Sequence, residues 1–195
     1  MKAVVQERYG DEKTLSIQTF PTPHISKTNQ ILVKVKVANI SSGDKNINTI
    51  PFGFPLNILL RFIYGWKGPR NPIRGITGSG VVQEVGSAVR LFNPGDHVNF
   101  IQSMKPSVMA EYLLLDTKSV MAKVDSSVAY EQSAPIAFGA LTADYFINSN
   151  NIKPKNRVLI YGASGAVGTY AAFLAKHYGG HVTGCSISTS NLLIR

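Results

Sequence analysis

Three small residues at fixed spacing, Ala163, Gly165 and Gly168, carry the clearest chemical signal in this chain of 195 residues. They form an A-x-G-x-x-G pattern within the turn Gly162-Ala163-Ser164-Gly165-Ala166-Val167-Gly168. A turn of this kind leaves the first N–H groups of a helix free. Those groups, reinforced by the helix dipole, hold a pyrophosphate or similar anion. Gly165 is expected to let the backbone approach the phosphates, and Gly168 to let helix and strand pack closely. Ala163 stands where the dinucleotide fingerprint usually has its first glycine, so the bare pattern also fits an ordinary glycine-rich turn.

The flanking residues decide between the two readings. Val158 to Tyr161 is a short run of β-branched and aromatic residues and predicts a buried strand. After the turn, Val167, Tyr170, Ala171, Leu174 and Tyr178 recur at helical spacing and mark one apolar face. Gly179 and Gly180 end that helix, with Lys176 and His177 in its last turn, and His181 to Gly184 starts a second strand. Strand, glycine turn, helix and strand form the first half of a dinucleotide-binding unit, so the turn from Gly162 to Gly168 is the candidate phosphate cradle.

The preceding residues must supply the rest of the architecture. Residues 1–125 read as short strands: Lys2 to Gln6, Leu15 to Thr19, Ile31 to Val37, Val81 to Val85, His97 to Phe100, Glu111 to Leu115 and Val120 to Lys123. Ile31, Val33, Val35 and Val37 point one way and Lys34 and Lys36 the other. Asn93-Pro94-Gly95-Asp96 is a turn. Many short strands at this spacing imply a small closed or partly closed β structure. Pro51 to Trp66 breaks the pattern, being apolar and aromatic but carrying Arg61 and two prolines. It reads as a substrate-lining flap or a core helix ahead of a membrane-surface loop. Residues 126–195 form the second part, entered through a helical stretch from Glu131 to Asn148 that Pro135 interrupts.

Composition removes several function classes. Hydrophobic content of 44% is ordinary for a globular chain, and the single Cys185 excludes a disulfide framework and a cysteine-built zinc site. The net charge of +9 permits nucleic-acid or anionic-membrane binding, but the cations are scattered apart from Arg61, Lys67, Arg70 and Arg74. A solvated surface or a field for cofactor phosphates is expected instead, with neither a nucleic-acid nor a membrane partner. The start MKAVVQERYG is too charged for a signal peptide, and no apolar stretch is long enough to span a bilayer. A cytoplasmic chain is expected.

Taken in order, these segments resemble the medium-chain dehydrogenase/reductase superfamily, in its zinc-independent quinone-reductase-like branch. The resemblance rests on MKAVV at the first strand, on Gly80-Val81-Val82-Gln83-Glu84-Val85-Gly86 and on Asn93-Pro94-Gly95-Asp96-His97-Val98. It continues through Ala110-Glu111-Tyr112, Gly139-Ala140-Leu141-Thr142-Ala143 and the GASGAVG turn. It implies an α/β chain with an N-terminal GroES-like β-barrel domain that holds substrate, followed here by the first β-α-β part of a Rossmann fold. Zinc-dependent relatives place a Cys after the Ile31–Val37 strand and a His after the glycine matching Gly75. This chain has Ser41-Ser42-Gly43-Asp44 and Gly75-Ile76-Thr77 there, and no metal is expected. His24, His97, His177 and His181 lack ligand spacing and read as surface or cap histidines.

The resemblance then implies zinc-independent hydride transfer to the β-carbon of a quinone or α,β-unsaturated carbonyl, with hydrogen-bond donors on the enolate-like oxygen. The region from Gly184 to Ser190 lacks the carboxylate that bonds the ribose 2′-OH of NAD, about 20 residues after the glycines. Ser186 and its neighbours therefore favour NADPH, with Arg195 a weaker contributor. Asn39 and Thr142 match family positions beside the cofactor. Asp44 matches a turn facing the nicotinamide but equally reads as a turn-forming carboxylate. Tyr64 and Trp66 are candidates to shape the substrate pocket. Thr77 stands where many relatives carry an acid. No residue can be named as general acid, and the branch implies protonation by solvent or cofactor hydroxyls. Relatives continue well past the position of Arg195, so a truncated chain with little turnover is expected, its full-length parent a homodimer. The alternative is a non-catalytic fragment whose GroES-like domain folds alone as a binding module.

Overall fold

Alternating β-branched residues build the sheet that dominates the first half of the chain. The computed structural model describes residues 1–51 and 53–186. β1 (Lys2–Gln6) and β2 (Leu15–Thr19) pair antiparallel, joined through a 3-10 turn at Glu12–Thr14 that Asp11 caps. β3 (Gln30–Asn39), β4 (Thr77–Val85), β5 (His97–Ile101), β6 (Tyr112–Asp116) and β7 (Val120–Lys123) form a five-stranded antiparallel sheet in the order β6-β3-β4-β5-β7. Its register sets Ile31 opposite Leu115 and Val33 opposite Leu113, and these side chains meet Val82, Val98 and Phe100 in one cluster. Phe100, Val98, Val33 and Ile31 are fully buried. A phenylalanine hidden to that degree contributes roughly 2–3 kcal/mol from apolar burial.

Between β3 and β4 the chain forms α1 (Ser42–Thr49) and α2 (Leu56–Tyr64). The Pro51–Trp66 stretch thus contains a helix, but not a core helix. None of its residues is buried, and Leu59 and Phe62 are 55% and 71% exposed. The Asn93–Asp96 turn closes through the Asp96 N–H on the Asn93 carbonyl at 3.1 Å, and Asp96 pairs with Lys123 at 2.7 Å.

The chain divides into two compact units between Ala134 and Pro135, rather than at 125/126. The reason lies in α3 (Tyr130–Ser133), which hydrogen bonds to the sheet. The Ser79 hydroxyl donates to the Tyr130 carbonyl at 2.8 Å, and the Asn99 amide donates to the Ser133 carbonyl at 2.6 Å.

The second unit begins with a π-helical turn at Ile136–Ala140, directly after the helix-breaking Pro135, and runs into α4 (Leu141–Ser149). β8 (Arg157–Tyr161) and β9 (His181–Cys185) pair parallel, with α5 (Ala166–His177) as the connection between them. Alanines at 171, 172 and 175 let α5 lie close against Ile160, Ala143 and Ile147. The N–H of Gly179 bonds the Lys176 carbonyl and that of Gly180 the Ala175 carbonyl, a Schellman ending at the expected place. Among the described residues no helix is long and apolar enough to cross a membrane.

Candidate functional site

The turn between β8 and α5 is held chiefly by backbone bonds. Gly162 has a φ of +77°, in the region that disfavours side chains. The N–H groups of Gly162 and Ala163 both donate to the Cys185 carbonyl, at 2.8 and 3.0 Å, which ties the turn to the end of β9. The Gly165 N–H donates to the Gly162 carbonyl at 2.9 Å. Gly165 then caps α5 in extended backbone with no side-chain acceptor on the helix start, and no acid lies in the first turn. The opening N–H groups of Ala166, Val167 and Gly168 belong to the set that a helix cannot satisfy internally. A Cβ at Gly168 would stand 2.2 Å from the Gly162 carbonyl oxygen, and one at Gly165 would stand 3.3 Å from the same atom.

Ala163 turns out to suit its place. The left-handed backbone falls on Gly162, so residue 163 needs no glycine, and its methyl is buried beside Gly184. Its carbonyl accepts the Thr169 hydroxyl at 3.0 Å. Ser164 and Ser186, separated in sequence by the whole of α5, bring their hydroxyl oxygens to 2.6 Å. Ile187 to Ser190 and Arg195, included in the cofactor reading from sequence, lie outside the described residues. Thr142, on α4, donates its hydroxyl to the Phe138 carbonyl at 2.7 Å, a bond to the π-helical turn that precedes it.

In the first unit, Asn39 ends β3 opposite Thr77, and its amide donates to the Thr77 hydroxyl at 3.3 Å. Asp44 is 3% exposed. Its Oδ2 accepts the Ser41 N–H at 2.9 Å and the Ser41 hydroxyl at 2.7 Å, completing a capping box, while its Oδ1 accepts the Ile76 N–H at 3.0 Å. The carboxylate therefore clasps the Ser41–Asp44 and Gly75–Thr77 segments together. Ser41-x-x-Asp44 is a capping signature readable in sequence; the reach to Ile76 has no local signal. Among the described residues no three His, Cys, Asp or Glu side chains group as a metal site.

His97 corrects the surface reading of the histidines. It is 7% exposed on β5, its Nε2 is 3.1 Å from the Ser133 hydroxyl, and its ring centroid is 4.1 Å from that of Tyr130. Burial holds its pKa below the ordinary imidazole value. It shares the β5 face of Asn99, opposite Val98 and Phe100, and α3 covers it there, so its burial has no local signal in the sequence. His24, His177 and His181 are exposed. Tyr64 lines a cavity of about 300 Å³ with Arg70 and Arg74, and its hydroxyl donates to the Ser103 carbonyl at 3.3 Å. Trp66 is 61% exposed and its carbonyl accepts from Arg61.

No family model matches the chain. It is 34% identical over 203 residues to the mouse protein named NAD(P)H oxidoreductase RTN4IP1, mitochondrial, a match covering 99% of this chain and 51% of the relative. The solved quinone oxidoreductase of Coxiella burnetii superposes with a TM-score of 0.79 at 30% identity, over 94% of this chain and 56% of that one. The quinone oxidoreductase of Escherichia coli, solved with NADPH, superposes with a TM-score of 0.79 at 24% identity, over 97% of this chain and 53% of that one. The chain thus spans about half the length of the relatives it matches. A GroES-like β domain followed by the opening β-α-β of a Rossmann fold is the architecture they share with it. Along nearly its whole length, in sequence and in structure, the chain is homologous to quinone-oxidoreductase-like proteins of the medium-chain dehydrogenase/reductase superfamily.

Proposed function

We propose that the chain supplies the substrate-side β domain and the phosphate-gripping half of the cofactor domain of an NADPH-dependent reductase of quinones or α,β-unsaturated carbonyls. The observation that carries this reading is the helix start at Gly165–Gly168. It is a helix start packed so closely on the turn backbone that a Cβ at 168 would collide with the Gly162 carbonyl, and no side chain caps its amide donors. A dinucleotide pyrophosphate suits those free amide donors in charge. Gly162, Ala163 and Ser164 shape the approach, and the N–H groups of Ala166, Val167 and Gly168 bond the phosphate oxygens. Ser164 and Ser186 present paired hydroxyls rather than a carboxylate, which favours the 2′-phosphate of NADPH over the free ribose of NADH. The relatives' names and the NADPH in the Escherichia coli structure point the same way.

When bound, the cofactor supplies a hydride. The residues of this chain bind and orient. Asn39, its amide donating to Thr77, keeps a carbonyl oxygen as acceptor, and Thr142 is the second family-matched contact. The Asp44 clasp occupies the segments where zinc-dependent relatives carry ligands, which supports transfer without a metal. Hydride addition at the β-carbon of a conjugated acceptor suits such a site, because hydrogen bonds suffice for the developing oxyanion and solvent supplies its proton. Turnover is proposed for the family architecture, of which this chain spans about half.

Fluorescence titration of the 195-residue chain with NADPH and NADH in parallel tests the cofactor reading. Saturable binding with NADPH at least several-fold tighter is expected. A folded chain that binds neither sinks it. A screen of quinones and enals then tests the substrate class. Cytoplasmic residence, expected from the N-terminus, competes with the mitochondrial location in the relatives' names, and fractionation decides between them.

A further inference from the structure

Arg74 is a guanidinium hidden in the first unit without an acidic partner. It is 2% exposed, and its backbone is fixed by the N–H on the Val4 carbonyl and the carbonyl under the Met109 N–H. Its Nε donates to Asn48 Oδ1 at 2.7 Å, the one side-chain acceptor it has among the described residues. The one ion pair among those residues is Lys123–Asp96. Asp44, the carboxylate whose charge reaches Arg74, already accepts from Ser41 and Ile76. Burying a cation in this way is costly unless an anion offsets it. Burial accordingly lowers the Arg74 pKa.

The terminal nitrogens are not sealed. Among the described residues the fully buried unbonded side-chain polar atoms are Gln6 Oε1, Asn57 Oδ1 and Asn99 Oδ1, and Arg74 contributes none. Instead Arg74 lines the cavity of about 300 Å³ under α2. Arg70 and Lys105 line the same cavity and are exposed, while Ile63, Tyr64 and Met104 give it an apolar wall. A planar fork at the base, further cations and a greasy wall form the chemistry that recognises an oxyanion on an apolar body.

We propose that this cavity is an oxyanion-binding site, with Arg74 as its fixed fork, for a carboxylate or phosphate carried on a short apolar chain. The site lies within the first unit and stands independently of the cofactor reading. Isothermal titration of the full chain with octanoate, octyl phosphate and octanol tests it. Saturable binding of at least one anion, with octanol at least tenfold weaker, is expected, and the tighter head group distinguishes an acyl carboxylate from a phosphate ester. Arg74→Met should weaken the anion at least tenfold. Because that change alters a buried position, the exposed pair Arg70→Ala with Lys105→Ala serves beside it, and should weaken binding several-fold with Trp66 fluorescence unchanged. Binding of neither anion, equal binding of octanol, or unchanged affinity in the Arg70 and Lys105 double variant overturns the proposal.

Discussion

The two units of this chain solve the problem of burial differently. In the first, β3 to β7 and the loop bearing Val108 close around Phe100, Val33 and Val98, and these side chains lose all contact with water. In the second, alanines on α5 pack one face of the β8–β9 pair, while Leu159 and Tyr161 on the other face remain 70% and 80% exposed. One unit is held by the interlocking of large side chains. The other is held by the near-absence of side chains at Gly168, where backbone meets backbone, and at Gly184, which leaves room for the Ala163 methyl. A fault in the first should therefore cost cavity energy; a fault in the second should cost steric energy and, with it, the phosphate cradle.

The largest expected effect is from Phe100→Ala, which removes a fully buried ring and should destabilise the first unit by about 3–5 kcal/mol. Urea unfolding followed by Trp66, the one tryptophan, reads it out. Gly168→Val should follow, at roughly 2–4 kcal/mol in the second unit, because its Cβ would collide with the Gly162 carbonyl. NADPH affinity should fall at least tenfold while the Trp66 transition stays in place. A Trp66 midpoint that moves with Gly168→Val would break the comparison, since it would make the units one cooperative body.

Acidification should act on the first unit in two stages. Buried His97 has a folded pKa below its unfolded value of about 6.5, so the unfolded chain takes up that proton first. Its contribution is complete above that pH and is lost as pH falls toward the folded value. Asp96 is held below the usual carboxylate range by its bond to Lys123, so its contribution is present above about pH 4 and lost below it. Stability of His97→Gln measured across pH 7 to 5 should lack the first stage; an unaltered slope would refute the assignment. The smallest effect belongs to Leu159→Ser. On an exposed face it should change stability by no more than about 0.5 kcal/mol. Lower light scattering at high protein concentration is expected, and a large loss of stability would mean that the face is covered.

Short strand-like runs between turns made the β domain legible: β1, β2 and β7 fall on Lys2–Gln6, Leu15–Thr19 and Val120–Lys123 as expected. The glycine turn was legible because its requirements are local, a strand, small residues and a helix within one stretch. What escaped depends on contacts between distant segments. The bond from Asp44 to Ile76 joins positions 32 residues apart. The burial of Arg74 and His97 follows from which neighbours the sheet brings against them, and α3 joins the first unit through single hydrogen bonds to Ser79 and Asn99. The apolar stretch around α2 reads as a substrate-lining flap or a core helix by composition, and tertiary packing leaves it unburied.

The bond pattern at the end of β9 has a practical side. Cys185, whose carbonyl receives both amides of the glycine turn, is also the single thiol of the chain, and it is exposed. A maleimide dye coupled there would ride on the strand end to which the glycine turn is tied. A change in its emission on adding NADPH would report loading of the turn.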